Sequence, residues 1–290
     1  MRLHNAILAT VAYADVFDYP LTEEEVGKWL IGKSQKSKVK SQKLKEISEI
    51  KHFGGYFFLN GRKEIVSLRR ERRRWTGEKM QVAKWAATLL KCIPTIQLIG
   101  VTGALAMDNA HRDDDIDFYI VAAVETLWST RFFATVLLAM FGLRRKPGDA
   151  FFRNKICLNM YVDERHLAVS SRERDLFSAH EVLQMKPLWD RNGIYKKFLK
   201  ENQWAKHFLP NAWEEKTQTY ISKRKSFACH LEPLARTLQL WYMRRRRTTE
   251  VVSGSLIRFH PHDARIWIRN KLAGRLAIHK IPLDKIFYAR

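Results

Sequence analysis

A chain of 290 residues with 46% hydrophobic side chains has ample material for a packed core, and its length corresponds to about two domains. Its 52 Lys and Arg against 30 Asp and Glu leave a net charge of +22, which points to a polyanionic partner: DNA, RNA or a large phosphorylated ligand. No apolar run is long enough to span a bilayer and no disulfide or Cys/His metal spacing is present; the expectation is a cytoplasmic protein with no membrane partner and with Cys92, Cys157 and Cys229 as small buried thiols.

In chain order, Ile7, Leu8, Val11, Ala12, Val16 and Phe17 recur at helical spacing over residues 4–17. Thr22 and Glu25 then form a capping box that opens a second helix, stopped at Gly32. Lys33–Lys40 is a basic loop. Ser41–Ile50 reads as a third helix with Leu44, Ile47 and Ile50 inward, and Phe53–Arg62 as a hairpin turning at Asn60–Gly61. Ser67–Cys92 is a long helix, dense in arginine in its first half.

Residues 97–101 form a short apolar strand. The chain turns at Thr102–Gly103–Ala104, makes one helical turn, crosses a polar segment and enters the alternating strand Asp115–Val121. Successive strand side chains point to opposite faces, so Asp115 and Asp117 share one face while Ile116 and Phe118 enter the core. Two close carboxylates are costly without a cation between them. Hard oxygen ligands beside a glycine turn and a helix start suit Mg²⁺ (or Mn²⁺) on a phosphate chain. Leu127–Phe141 is apolar almost all round and is expected to be buried. A basic loop, Arg144–Asn154, leads to a strand over 155–162. Residues 170–290 read as helical, with helices over Asp175–Met185, Ile194–Trp204 and Phe227–Arg245. His260, His262 and Asp263 form a last polar constellation, read as a helix start rather than a metal site.

The stretch from 95 to 164 resembles the nucleotidyltransferase superfamily, the DNA polymerase β-like fold. The resemblance rests on the strand, the Gly103–Ala104 turn, the short helix and Asp115–Ile116–Asp117. Residues 178–211 are similar to a group of bacterial nucleotidyltransferase-domain proteins, a likeness that brings no substrate with it. This resemblance implies an α+β fold with a small mixed sheet and helices; ahead of it, the three short helices and the basic hairpin resemble a winged helix-turn-helix module, and a helical C-terminal region follows. The corresponding division is 1–66, a linking helix 67–94, a nucleotidyltransferase-like domain 95–169, and 170–290. It further implies transfer of a nucleoside monophosphate from an NTP to an acceptor, with Asp115 and Asp117 holding the metal. Thr102, Gly103, Ala104, Arg153 and Lys155 would bind the nucleotide. Asn159 falls where relatives place a third carboxylate, and Ala104 where they place a serine; Asp149 and Asp163 are alternatives for the third position. These departures motivate the alternative of a catalytically degenerate regulator that binds nucleic acid. In that case Lys43 and Lys45 on the third helix, with Arg62 and Lys63 at the wing, would contact DNA or RNA.

Overall fold

The computed structural model describes residues 1–32, 39–146, 148–217, 236–237, 251–252, 256–258 and 264–288. Lys33–Lys38, nearly all of the helix expected over Phe227–Arg245, the Arg244–Arg247 cluster, Cys229, and His260, His262 and Asp263 lie outside the described residues.

The chain begins with α1 (Leu3–Asp15), α2 (Glu23–Lys28), α3 (Ser41–Lys45) and the hairpin β1 (Ile50–Phe53) and β2 (Tyr56–Leu59). The capping box forms: the Thr22 hydroxyl accepts from Glu25 N at 3.2 Å and Glu25 Oε2 accepts from Thr22 N at 2.9 Å. The hairpin differs from expectation. Its tip is Gly54–Gly55, where φ is +58° and +87°, the two positive values that a tight two-residue turn requires. Asn60–Gly61 instead leads out of β2 into α4 (Ile65–Leu90). The third helix is shorter than the sequence pattern implied, because Ile50 begins a strand.

The main sheet is mixed, in the order β6-β3-β4-β5-β8-β7. Its strands are β3 (Ile96–Val101), β4 (Ile116–Ala122), β5 (Ile156–Asp163), β6 (Lys186–Asp190), β7 (Val251–Val252) and β8 (Leu256–Arg258). The β3–β4 pair is antiparallel and β4–β5 is parallel. Between them lie α5 (Gly103–Ala106) and α6 (Leu127–Met140). The helices α7 (Leu176–Gln184), α8 (Ile194–Glu201), α9 (Ala205–Phe208) and α10 (Pro210–Thr217) follow β5, and Ala264–Ile278 and Asp284–Phe287 close the chain. Residues 170–290 are therefore not helical alone. They add β6 to one side of β3, with Pro187 tolerated on that outer strand, and β8 beside β5.

Alternation along β4 sorts the core. Ile116, Phe118, Ile120 and Ala122 join a cluster with Ala83, Ala86 and Leu90 of α4 and with Leu127, Ala134 and Leu138 of α6. Tyr119 and Val121 face the other way, into a larger cluster built from α1, α7, α8 and the helix Ala264–Ile278. That cluster runs without a break from the N-terminal helices to the C-terminal ones. Helix α1 is buried all round from Ala6 to Asp15 rather than on one face. Helix α6 departs in the opposite sense: Phe132, Phe133, Val136 and Met140 are exposed, with Met140 at 76%. An all-apolar sequence shows that a helix can be buried on every side, but not that partners exist to cover it. Cys92 is exposed as well, and Cys157 is half-buried.

No helix among the described residues is long and apolar enough to cross a membrane.

Candidate functional site

The sheet and α5 place an acidic cleft at the start of β4. Gly103 makes the turn after β3 with φ +61°, in the left-handed region that favours glycine. Thr102 N donates to Asp117 O at 3.1 Å, tying the turn to the strand. A Cβ at position 103 would lie 3.1 Å from Asp117 Oδ2, so the missing side chain is what lets the carboxylate sit against the turn. Helix α5 is four residues long, too short for an appreciable dipole at its N-terminus. The cleft has a volume of about 220 Å³ and is lined by Thr102, Ala104, Leu105, Asp114, Asp115 and Asp117.

Asp115 and Asp117 lie two apart at the head of the strand and come together. One carboxylate oxygen of each and Cys157 Sγ all lie within 4.8 Å of one another, and all three residues are half-buried. Cys157 is there because the parallel β4–β5 register sets it opposite Asp117. Asn159 lies further along β5, and its side chain is outside what the structure describes. Asp149 and Asp163 do not join the group. Asp149 Oδ2 accepts from Lys146 N at 2.7 Å, and Asp163 is engaged by Arg165 and by Glu125 N at the far end of β5.

Electrostatics at the cleft are strained. Burial pushes the Asp117 carboxyl far above the carboxylate range, to about 8, and the negative charges of Asp115 and Glu181 push in the same direction. Glu181, on α7, is itself raised to about 7 by burial. Burial likewise raises the Cys157 thiol, with Asp117 and Asp115 adding to the effect, so it is held protonated. Among the described residues a cation reaches the pair: Arg145 Nη1 donates to Asp115 Oδ2 at 2.5 Å. Arg145 also lies 3.9 Å from Cys157 Sγ and over the Phe152 ring at 4.6 Å.

The loop that delivers Asp115 is held from α4. The buried Lys79 ammonium donates to Arg112 O at 2.9 Å, Asp114 O at 2.6 Å and Asn154 Oδ1 at 3.0 Å. Two turns earlier on the same helix, Arg72 donates to Asn109 Oδ1 at 3.0 Å and to Phe17 O at 3.1 Å. Neither residue is marked by a local sequence pattern. Each sits in an arginine- and lysine-rich helix that reads as a solvated face, and only the tertiary fold shows which cations turn inward.

The remaining sequence-derived candidates are differently placed. Arg153 pairs with Glu78 at 3.7 Å and lies over Trp75 at 5.3 Å, while Lys155 Nζ donates to Gly142 O at 2.5 Å; both are engaged away from the carboxylates. Arg62 was expected on phosphate at a wing tip. It instead binds three carboxylates: Asp15 at 3.0 Å, Asp18, and Glu64 at 3.0 Å. Asp15 is buried and also takes Arg275 at 2.5 Å, so Arg62 is part of a clamp that joins α1, the turn between β2 and α4, and the helix Ala264–Ile278. Lys43 pairs with Glu46 at 3.1 Å, Lys45 is exposed, and Lys63 lies over the Phe53 ring at 4.1 Å.

No protein-family model matches the chain, and no curated protein matches it. Among solved structures it is similar to a chain from "Crystal structure of the toxin-antitoxin with AMP-PNP", at 21% identity over 43% of this chain and 89% of that one. The TM-score is 0.27, and a likeness of that degree carries no argument about fold or ligand.

Proposed function

We propose that this chain is a nucleotidyltransferase-fold protein in which Asp115 and Asp117 hold a divalent cation, Mg²⁺ or Mn²⁺, and transfer a nucleoside monophosphate from an NTP to an acceptor. The observation that carries the reading is the convergence of two half-buried carboxylates beside a positive-φ glycine turn, at the edge of an open cleft. The mixed sheet supports it, with antiparallel β3–β4, parallel β4–β5 and the paired aspartates at the head of β4. The donor set fits a hard cation only in part. Two carboxylates suit Mg²⁺, whereas a protonated thiol does not; Cys157 occupies the third place without contributing a hard ligand. Bound there, a divalent ion would supply charge neutralisation for the phosphate chain.

The protein's own groups have definable parts. Asp115 and Asp117 supply negative charge to the ion. The Gly103 backbone admits close approach of a phosphate, and Thr102 offers a hydroxyl at the cleft wall. Arg145, within reach of Asp115, offsets negative charge on the transferred group. Within this reading we retain the division into 1–66, 67–94, 95–169 and 170–290. The three N-terminal helices and the β1–β2 hairpin, to which Leu21 adds a bridge at Phe57, are taken as a winged-helix-like module.

Arg145 and Cys157 also favour a second reading, in which the cleft has lost turnover and serves a nucleic-acid-binding regulator. Lys43, Lys45 and Lys63 remain at the surface for such contacts; Arg62 does not. The two readings separate in one experiment. Purified protein is incubated with each labelled NTP, Mn²⁺ or Mg²⁺, and cellular RNA. Label transfer that disappears in the Asp115→Asn/Asp117→Asn double variant supports the enzyme. Transfer that persists in the double variant removes this site from consideration, and the absence of transfer with metal-dependent nucleotide binding supports the regulator.

A further inference from the structure

A second cavity, of about 140 Å³, lies between α1, α2, the end of α5 and α7, separate from the acidic cleft. Aromatic side chains wall it: Tyr13 and Tyr19 from the first helix and its exit, and Trp29 just past α2. The fourth ring is His180, which is 4% exposed, stacks on Tyr13 at 4.2 Å and 11°, and leans on Trp29 at 5.2 Å. A dry cavity of ~150 Å³ accommodates one benzene-sized ring, so this one has room for a single ring.

The polar groups narrow the chemistry. Burial pushes His180 down to about 3, so the imidazole is neutral. Its Nδ1 faces the Gln184 amide nitrogen at 3.2 Å. An amide N–H donates, so Nδ1 accepts and the ring proton sits on Nε2. Nε2 is buried and has no hydrogen-bond partner among the described residues. A buried donor left without an acceptor is destabilising, because it has given up its hydrogen bond to water and made none in return. On the same wall, Lys216 donates only to neutral oxygens, Met185 O at 3.0 Å and Tyr195 OH at 3.1 Å. The other two lysines there are already matched, Lys28 with Glu215 at 2.7 Å and Lys186 with Asp108 at 2.8 Å.

We infer that this cavity binds a one-ring heteroaromatic acid: a flat ring among Tyr13, Tyr19 and Trp29, a ring nitrogen or carbonyl accepting from His180 Nε2–H, and an acidic substituent beside Lys216. Each feature of the ligand answers one group of the protein. The ring fills apolar space, the acceptor satisfies the buried donor, and the acid matches an ammonium that has no carboxylate of its own among the described residues. Hydrogen-bond polarity is set by Gln184 rather than by His180 alone, which gives the inference a test that a purely structural histidine would fail.

The test is isothermal titration of the full chain with nicotinate and orotate, using nicotinamide to remove the acid and benzoate to remove the ring acceptor. Nicotinate or orotate is expected to bind with a Kd below about 1 mM, and both controls about tenfold more weakly. Gln184→Glu replaces the donor on Nδ1 with an acceptor, moves the ring proton to Nδ1, and is expected to weaken binding about tenfold in a protein of unchanged circular dichroism. Lys216→Met is expected to erase the preference for nicotinate over nicotinamide. The Asp115→Asn/Asp117→Asn protein should bind as wild type does, so this inference stands or falls apart from the acidic cleft. Failure of both acids to bind, equal affinity for benzoate, or an unchanged Gln184→Glu titration would each overturn it.

Discussion

Lys79→Met is the most direct probe of how the acidic cleft is held. Methionine keeps most of the aliphatic stem, so the change removes an ammonium from a buried position with little loss of volume. Three oxygens then lose their donor: Arg112 O, Asp114 O and Asn154 Oδ1. Hydrogen bonds to a charged group contribute about 1.5–3 kcal/mol each, so the gross loss is several kcal/mol. Two effects offset it. Burial already lowers the Lys79 pKa, which means the ammonium bears a desolvation cost that methionine does not. The loop at Arg112 and Asp113 is exposed, so water can reach part of what the lysine served. The expected net destabilisation is about 2–3 kcal/mol, read from urea unfolding at constant m. The site should register it too, because Asp115 follows the freed loop directly: Mn²⁺ affinity should fall by about tenfold or more. A variant within about 0.5 kcal/mol of wild type with unchanged Mn²⁺ binding would refute the claim that α4 suspends this loop.

Three further perturbations test the carboxylates themselves. Asp117 has a folded pKa above its unfolded value, so the folded protein carries the extra proton and loses stability as pH rises from about 4 to about 8; Asp117→Asn should remove that part of the decline, leaving the share due to Glu181, and urea midpoints across this range that fall equally in both proteins would count against a buried Asp117 charge. Gly103→Ala forces a non-glycine residue to φ +61° and a Cβ to within 3.1 Å of Asp117 Oδ2, for about 1–2 kcal/mol in thermal or urea unfolding. Arg145→Gln removes a partly exposed ion pair, about 1 kcal/mol or less in the metal-free protein. Because Arg145 competes for Asp115, Mn²⁺ titration of that variant should show tighter binding, and weaker binding would mean that Arg145 organises the pair rather than occupying it.

The parts legible in the sequence were those set by neighbours in the chain. Alternation through Asp115–Val121 placed Ile116 and Phe118 in the core and the two aspartates on the opposite face, and Gly103 marked the turn they meet. Thr22 and Glu25 capped a helix by a three-residue relation. Local signals also misled where two competed. Asn60–Gly61 is a strong turn dipeptide, but Gly54–Gly55 made the hairpin because four residues of β1 and β2 pair across it. What could not be read were relations across the fold. Cys157 reaches the carboxylates through strand register, Lys79 through helix packing, and Arg145 through the path of a loop between α6 and β5. The exposed phenylalanines of α6 illustrate the same limit: composition records what a helix could bury, while the partners that do the burying are specified elsewhere.

The position of Arg145 bears on both readings of the cleft. A fold that brings Asp115 and Asp117 together must offset their repulsion, and the chain does so with a guanidinium from a loop and with a proton on Asp117. Both are displaceable. A proton leaves as pH rises, and an arginine with 38% of its side chain exposed can swing towards solvent or towards a bound phosphate. A divalent ion entering the cleft would therefore exchange with two weaker counter-charges rather than insert among bare carboxylates, and its binding should release a proton near neutral pH. Cys157 sets the limit on this exchange. Held protonated among the acids, it neither repels nor binds a hard cation, so the close cluster among the described residues offers two carboxylates and a thiol. Replacing Cys157 with Asp adds the missing charge at the position that register places opposite Asp117. If the cleft is a cation site, Cys157→Asp should raise Mn²⁺ affinity while lowering metal-free stability, because three carboxylates without an ion repel more than two. A variant that loses stability without gaining affinity would show that the acidic cluster is held together for packing and not for metal.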